Sequence, residues 1–113
     1  KIIEILSTAF VNEIDINKQD NNGYTALMLA AKNNKIIVIQ HLCDTFNDKI
    51  DINKQNNNGY TAFMLAAQNK NVKVVQYLCN TKFNEQIDIN KQNNHGETAF
   101  MLAAWNNTNV EVI

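Results

Sequence analysis

Two residues of the types that perform nucleophilic catalysis lie close together near the middle of the chain. His41 and Cys43 could act as base and nucleophile if their side chains faced each other. They are two positions apart on a predicted helix, however, and residues at that spacing point in different directions. No Asp or Glu is spaced to orient the imidazole. The sequence therefore predicts no catalytic residue and no enzymatic activity.

A second candidate is a recurring segment, Asp-Ile-Asn-Lys-Gln, which begins at positions 15, 51 and 88. Asp15 and Asn17 stand at alternate positions, like the first ligands of a calcium-binding EF-hand loop. That loop also needs Gly at its sixth position and Glu at its twelfth, where this chain has Asp20 and Ala26. The other two copies fail the same test, so no metal site is predicted.

Glycine is the residue type that lets a backbone loop cradle a phosphate group. Gly23, Gly59 and Gly96 each stand alone in the sequence, and none belongs to a glycine-rich phosphate-binding motif. We therefore expect neither a cofactor nor a small-molecule substrate.

Charge and composition argue against two further classes of partner. The 113-residue chain has a net charge of −1, which gives no electrostatic reason to expect nucleic acid or an anionic membrane. Its apolar content of 45% is ordinary for a soluble protein. No apolar stretch approaches the roughly 20 residues of a membrane-spanning helix. No nucleic-acid or membrane partner is expected.

One block of sequence occurs three times and organises the rest of the chain. Residues 20–31 read DNNGYTALMLAA, residues 56–67 read NNNGYTAFMLAA, and residues 93–104 read NNHGETAFMLAA. A block repeated at a fixed period is typical of a solenoid, in which each unit buries its apolar face against its neighbours.

Within each block the residue types predict a turn that runs into a helix. The Asn-Gly pairs at 22–23 and 58–59, and His-Gly at 95–96, supply the positive φ that a tight turn needs. Thr25, Thr61 and Thr98 follow at the position of an N-cap, where a hydroxyl accepts a bond from a free backbone N–H. The apolar run after Thr25 predicts a thin first helix over residues 26–33.

A second helix is predicted over residues 35–44, because apolar residues recur there at helical spacing. Residues 1–7 show the same pattern, and residues 110–113 begin it again after an inserted residue near Thr108. The predicted units are residues 1–19 (a partial repeat with the second helix only), 20–55, 56–92 and 93–113 (a partial repeat). Since the chain opens within a helical pattern and has no initial Met, we expect it to be part of a longer protein. We also expect its ends to expose apolar surface.

The two cysteines, Cys43 and Cys79, occupy the same position in successive repeats. Stacked helices have axes about 8–10 Å apart, whereas a disulfide needs Cα atoms within about 7 Å. We expect both thiols to be unbridged and buried, in a reducing compartment such as the cytoplasm or the nucleus.

Taken together, these motifs resemble the ankyrin repeat. The family reads D-V-N-A, then D-x-x-G-x-T-P-L-H-L-A-A, then E-V-V-x-L-L-L. The chain has D-I-N-K-Q, N-N-G-Y-T-A-L-M-L-A-A and I-x-V-I-Q-H-L-C at the matching places, and the likeness covers almost its whole length. The resemblance implies an all-α ankyrin-repeat solenoid of stacked helix-turn-helix units joined by hairpin-like loops.

The chain departs from the family pattern at four kinds of position. The family's Pro is replaced by Ala26, Ala62 and Ala99, and its His by Met28, Met64 and Met101. The Gly that ends the first helix is replaced by Asn34 and Lys70. The loop after the second helix is longer, and we expect Phe46 and Phe83 to hold it against the helices.

The resemblance also implies a function, which is binding of a partner protein by the hairpin tips and the exposed, concave face of the first helices. The contact positions carried over from the family are Gln19, Asn21, Asn22, Tyr24, Lys32 and Asn33 in the first repeat; Gln55, Asn57, Asn58, Tyr60, Gln68 and Asn69 in the second; and Gln92, Asn94, His95, Glu97, Trp105 and Asn106 in the third. The partner's identity is not implied.

Aromatic residues are the best candidates for binding hot spots on such a surface, so Tyr24, Tyr60 and Trp105 stand out. The alternative for each Tyr is a packing role over its own turn. Trp105 breaks the repeat, because Lys32 and Gln68 occupy its position elsewhere. Its alternative is packing under a further repeat or against the first turn of the next helix.

Two other functions fit a helical repeat. The first is RNA binding, which would need base-reading side chains and a basic surface; salt-dependent retention on an RNA column would reveal it. The second is a structural spacer within a larger protein. The abundance of Asn has two explanations as well, a compositional bias of the source genome or the use of Asn at turns and caps.

Overall fold

The chain forms a stack of helical hairpins in the computed structural model, which describes residues 1–106, with side chains as far as Trp105. Six helices follow one another in this part: α1 Ile2–Ala9, α2 Ala26–Lys32, α3 Ile36–Thr45, α4 Ala62–Gln68, α5 Val72–Cys79 and α6 Ala99–Asn106. A 3-10 turn spans Lys82–Glu85, and no described residue lies in a β-strand. The predicted all-α solenoid is confirmed. The insertion expected near Thr108 and the helix expected at 110–113 lie outside the described residues.

Each first helix is preceded by a tight turn around its glycine. Gly23 has a φ of 83°, a value that L side chains rarely adopt. The Asp20 carboxylate accepts hydrogen bonds from the backbone N–H groups of Asn22 and Tyr24, both at 2.9 Å. Asn56 and Asn93 make the same pair of bonds with their amide oxygens in the next two repeats. The turns predicted from the Asn-Gly and His-Gly pairs are confirmed.

The threonine after each turn caps the helix, as its position in the sequence predicts. The Met28 N–H donates a hydrogen bond to the Thr25 hydroxyl at 3.2 Å. The same bond joins the Met64 N–H to Thr61 and the Met101 N–H to Thr98, at 3.1 and 3.3 Å. One of the otherwise unpaired amides at each helix start is therefore satisfied.

The first two of these helices, α2 and α4, are each followed by a left-handed residue that reverses the chain into the second helix. Asn34 has a φ of 57° and Lys70 a φ of 60°, at the two positions where the family has Gly. Asn tolerates this conformation, whereas Lys is strained in it. The reversal brings α3 against α2 and α5 against α4.

The helices stack in two rows, and the core lies between the rows. Helices α2, α4 and α6 form one row, and α1, α3 and α5 form the other. Small residues such as Ala31 and Ala66 lie at the crossings with no exposed surface. Met28 and Met64, which replace the family's His, are 1% exposed, so they make dispersion contacts within the core. Met101, on the last described helix, is 52% exposed.

The loops after α3 and α5 are held down by buried phenylalanines, as predicted. Phe46 is 2% exposed and Phe83 is 1% exposed. The carbonyl of Phe46 accepts hydrogen bonds from the two N–H groups at 49 and 50, and that of Phe83 from those at 86 and 87. Phe46 lies three residues after Cys43, whereas Phe83 lies four after Cys79. The extra residue of the second repeat is thus absorbed between Cys79 and Phe83.

The two cysteines are unbridged, as predicted, but only one of them is buried. Cys43 is 4% exposed, since α5 packs against the helix that carries it. Cys79 is exposed, and the prediction that it is buried is wrong. A thiol in this row is covered by the second helix of the next repeat, and the next such helix was expected at residues 110–113, beyond the described part.

Candidate functional site

The aspartates of the recurring Asp-Ile-Asn-Lys-Gln segment, which resembled calcium ligands, have structural roles. Asp15 accepts a hydrogen bond from the Asn17 N–H at 3.0 Å, so its carboxylate closes a turn. Asp51 and Asp88 do the same with the N–H groups of residues 53 and 90, at 3.1 and 3.2 Å. No group of three His, Cys, Asp or Glu side chains within residues 1–106 is arranged to hold a metal ion. In the same range, no helix is long and apolar enough to cross a membrane.

Neighbouring hairpins are joined by an asparagine that sequence reasoning missed. The Asn17 amide donates a hydrogen bond to the Lys49 carbonyl and accepts one from the Asp51 N–H, both at 2.8 Å. Asn53 joins the second hairpin to the third through the Gln86 carbonyl and the Asp88 N–H, again at 2.8 Å. The sequence feature that could have predicted these bonds is the Asn at the third position of Asp-Ile-Asn-Lys-Gln, which recurs in every repeat.

The glutamines of the same segment also join hairpins. Gln19 donates from its amide to the carbonyls of Gly23 and Gln55, both at 2.8 Å. Gln55 makes the equivalent bonds to Gly59 and Gln92, at 2.8 and 2.9 Å. These predicted contact residues, Gln19 and Gln55, are half-buried and have a structural role.

Two further bonds at each joint come from the asparagine that follows Asn56 or Asn93, the residues equivalent to Asp20. The N–H and the side-chain amide of Asn57 donate to the carbonyls of Asn22 and Asn21, at 3.0 and 2.9 Å. Asn94 repeats both bonds with the carbonyls of Asn58 and Asn57, at the same distances. Each joint between hairpins therefore contains five hydrogen bonds, which we call the hairpin ladder.

The hairpin ladder also explains a second requirement for glycine. A Cβ atom added at Gly23 would lie 2.6 Å from the Asn57 nitrogen, and one at Gly59 would lie 2.8 Å from the Asn94 nitrogen. The next hairpin therefore approaches each glycine too closely for any side chain. Sequence reasoning identified the φ requirement and missed this contact.

Three pairs of predicted contact residues form a row along the hairpin side of the stack. Each pair joins the residue after a glycine to the residue eight positions later, near the end of the first helix. We call these six residues the contact row: Tyr24 with Lys32, Tyr60 with Gln68, and Glu97 with Trp105.

Within the contact row, the first two pairs are held by contacts of their own. The Lys32 ammonium lies 5.2 Å from the centre of the Tyr24 ring, a cation–π distance. The Gln68 amide donates to the Tyr60 hydroxyl at 3.2 Å. Both rings are half-buried. The two tyrosines are thus fixed in place before any partner binds.

The third pair is different, because its two members do not contact each other. Glu97 accepts a hydrogen bond from the Asn93 amide at 3.0 Å. Trp105 is 82% exposed, and its indole makes no hydrogen bond or ring contact with the described residues. The row therefore ends in a large, exposed indole. The alternative in which Trp105 packs on the next helix concerns residues that lie outside the described part.

The remaining predicted contact residues fall into two groups. Asn33 and Asn69 donate from their amides to the carbonyls of Leu29 and Leu65, at 2.9 and 2.8 Å, and so cap the first helices. The side chain of Asn106 lies outside the described part. The other group is exposed at the hairpin tips and consists of Asn21, Asn22, Asn58, Gln92 and His95.

Comparison with known proteins gives one family. A family model described as "Ankyrin repeats (3 copies)" matches residues 1–93 and, in a second and overlapping match, residues 48–113. The two matches together cover the whole chain. No curated protein matches it.

Proposed function

Because this chain belongs to the ankyrin repeat family, whose repeats are generally protein–protein interaction modules, we propose that it binds a partner protein through the contact row and the hairpin tips. The observation that carries the proposal is Trp105, whose side chain is 82% exposed. An indole that stays in water contributes little to the stability of the fold, whereas its burial against a partner removes a large apolar area from water.

The rest of the contact row supports this role. Tyr24 and Tyr60 are fixed by Lys32 and Gln68, so a partner that packs on them loses little side-chain entropy. The row carries one positive charge at Lys32 and one negative charge at Glu97, at opposite ends. The preferred partner surface therefore has, at one end, an apolar pocket for Trp105 beside a hydrogen-bond donor for the Glu97 carboxylate and, at the other end, a carboxylate for Lys32.

The hairpin tips add hydrogen-bonding groups without net charge. The exposed amides of Asn21, Asn22 and Asn58 are not used in the hairpin ladder, and each can donate and accept. Such groups suit a folded or extended protein surface. They give no reason to expect a nucleic acid, whose phosphates favour a basic surface.

Three further points belong to the proposal. Ankyrin repeat proteins are typically non-enzymatic, and we propose that this chain performs no catalysis and binds no cofactor. We also propose that it works in a reducing compartment, the cytoplasm or the nucleus, which suits two unbridged thiols.

Site-specific crosslinking tests the proposed surface. A photoreactive residue is placed at position 105 and, as a matched control, at position 37, where Ile37 is 69% exposed on α3. We expect capture of a protein from position 105 and none of that protein from position 37. With the purified partner, Trp105→Ala should weaken binding by about 30-fold, which corresponds to about 2 kcal/mol, while the melting temperature stays unchanged. Equal capture at both positions, or a Trp105→Ala variant with full affinity, would contradict the proposal.

A further inference from the structure

Two of the three hairpin turns contain a pair of residues that can react with each other. Asn22 precedes Gly23, and Asn58 precedes Gly59, whereas the third hairpin has His95 before its glycine. In an Asn-Gly pair the glycine nitrogen can attack the Cγ atom of the asparagine, because glycine has no side chain to hinder the approach. The reaction needs no enzyme and no reactant except water.

The reaction has an imide intermediate and two possible products. The glycine nitrogen gives up its proton and forms a bond to Cγ, while the side-chain nitrogen leaves with a proton as ammonia. Water then opens the five-membered imide. Breaking the new bond from nitrogen to Cγ gives aspartate, whereas breaking the original peptide bond gives isoaspartate. In isoaspartate the backbone runs through Cβ and Cγ and contains one additional atom.

The two asparagine side chains are available for this reaction. Asn22 and Asn58 are both exposed, and neither side-chain amide makes a hydrogen bond with a described residue. Their bonds in the turn and in the hairpin ladder use backbone atoms only. Asn58 lies in the middle hairpin, which has a hairpin on each side, so its exposure does not depend on where the stack ends.

The glycine nitrogens, in contrast, are held by the turns. The Gly23 N–H donates to the Asp20 carbonyl, and the Gly59 N–H donates to the Asn56 carbonyl, both at 2.9 Å. The imide nitrogen carries no hydrogen, so neither of these bonds persists when the ring closes. Ring closure therefore requires the turn to open.

The hairpin ladder keeps these turns closed. The carbonyl of Asn22 accepts a bond from the Asn57 N–H, and the carbonyl of Asn58 accepts one from the Asn94 N–H, both at 3.0 Å. These carbonyls belong to the peptide groups that must rotate to bring the glycine nitrogen onto Cγ. The next hairpin also leaves no room, since a Cβ atom added at Gly59 would lie 2.8 Å from the Asn94 nitrogen. A turn can therefore open only when its joint opens.

We propose that Asn22 and Asn58 are sites of isoaspartate formation, and that the hairpin ladder suppresses the reaction until a joint between hairpins opens. The additional backbone atom lengthens the turn at the place where the next hairpin already excludes a Cβ atom. A hairpin that has reacted therefore cannot restore its ladder bonds. The reaction converts a transient opening of the stack into a permanent one, whether or not a partner protein is bound elsewhere.

Incubation of the whole chain at neutral pH, folded in buffer and unfolded in guanidinium chloride, tests the protection. Cleavage after lysine places each Asn-Gly pair in its own peptide, residues 19–32 and 55–70. Liquid chromatography with mass spectrometry separates the asparagine, aspartate and isoaspartate forms of each peptide. We expect both pairs to react at least about tenfold more slowly in the folded chain, because the reaction is confined to the open fraction. A smaller difference, or no isoaspartate in the unfolded chain, would overturn the proposal.

Two asparagines of the ladder test whether the joints provide the protection. Asn17→Ala removes two bonds from the joint that holds Asn22, and Asn53→Ala removes two from the joint that holds Asn58. Each variant should accelerate the reaction by about tenfold at the asparagine of its own joint, and by less at the other. Equal acceleration at both asparagines would mean that global unfolding opens the turns, and no acceleration would mean that the ladder does not hold them. Either result contradicts the proposal.

Two variants at position 58 separate the added backbone atom from the added charge. Asn58→His, which has the residue of the third hairpin, should form no isoaspartate in the peptide 55–70 and should leave the rate at Asn22 unchanged. Asn58→Asp adds a negative charge without lengthening the backbone and should keep the melting temperature of the unaltered chain. The aged chain with isoaspartate at position 58, purified by chromatography, should melt at a lower temperature. Isoaspartate in that peptide of Asn58→His, or equal melting temperatures for the aged chain and Asn58→Asp, would show the proposal to be wrong.

Discussion

One asparagine side chain makes two of the five hydrogen bonds in each joint between neighbouring hairpins, because an amide both donates and accepts. Asn17 gives its N–H to one backbone carbonyl of the next repeat and receives a bond from a backbone N–H there. Asp at this position would have no donor. Asparagines also close turns at 56 and 93, and Asn71 donates to the carbonyls of Ala31 and Lys32 across the repeats. The use of Asn at turns and caps is therefore real, whatever the composition of the genome.

The two thiols should differ strongly in reactivity. Burial raises the pKa of the Cys43 thiol from its ordinary 9.0 to about 11, and the Asp44 carboxylate adds to the shift. We expect a maleimide at neutral pH to label the exposed Cys79 first, with Cys43 slower by about a hundredfold or more. Mass spectrometry of digested samples over time measures both rates. Equal rates would mean that α5 does not cover Cys43.

The same shift gives a pH dependence of stability. Above pH 9 the unfolded chain loses the Cys43 proton before the folded chain does, so the free energy of unfolding should fall as pH rises from about 9 towards 11. Cys43→Ala should remove this part of the dependence, and urea unfolding at several pH values measures it. A Cys43→Ala variant with an unaltered pH profile would contradict the assignment.

At the scale of the element, each of the two repeats that the structure describes in full is a turn, a capped helix, a left-handed reversal and a second helix. The turn, the cap and the two helices were predicted from residue type and spacing, because each depends on neighbours within a few positions; the left-handed reversal at Asn34 and Lys70 was not predicted. The other features that could not be predicted depend on the adjacent repeat. The inward orientation of Gln19 and Gln55 follows from the distance between hairpins, and the exposure of Cys79 follows from which helix lies beside α5. Neither the orientation of these glutamines nor the exposure of Cys79 can be predicted from the sequence of a single repeat.

The left-handed reversal gives a prediction for the second repeat. Lys70→Gly should raise the free energy of unfolding by about 0.5–1 kcal/mol, because Gly relieves a strain of about 1–2 kcal/mol and loses part of that gain in the unfolded chain. Asn34→Gly is the control and should change stability little, since Asn tolerates this conformation. Urea denaturation compares the two variants with the unaltered chain. A less stable Lys70→Gly variant would show that the lysine side chain matters more than its backbone.

At the scale of the whole molecule, stability comes from contacts between neighbouring units, because the core between the two rows of helices continues from one unit to the next. Helix α4 has neighbours on both sides and buries all of its residues except Gln68. Helices α2 and α6 each leave one side exposed. The same residue type therefore contributes differently according to its place in the stack, which the repeated sequence by itself cannot show.

Two phenylalanines at equivalent positions test this difference. Phe63 is 8% exposed and Phe100 is 78% exposed. Phe63→Ala should lower the free energy of unfolding by about 3–4 kcal/mol, as expected for a large cavity, and Phe100→Ala by about 0.5 kcal/mol or less. Thermal unfolding measures both. Similar losses in the two variants would mean that the ends are as well packed as the middle.

The joints between hairpins are alike, and this affects how a gene for such a repeat protein can change in length. The loop between Cys79 and Phe83 takes up one extra residue while the hairpin ladder keeps the same five bonds on both sides of the second repeat. An in-frame duplication of the codons from Asn17 to those before Asn53 would insert 36 residues whose two faces already fit their new neighbours. An unequal crossover that deleted the same codons would rejoin two faces that also fit. Selection can therefore act on the number of repeats without first having to repair the protein.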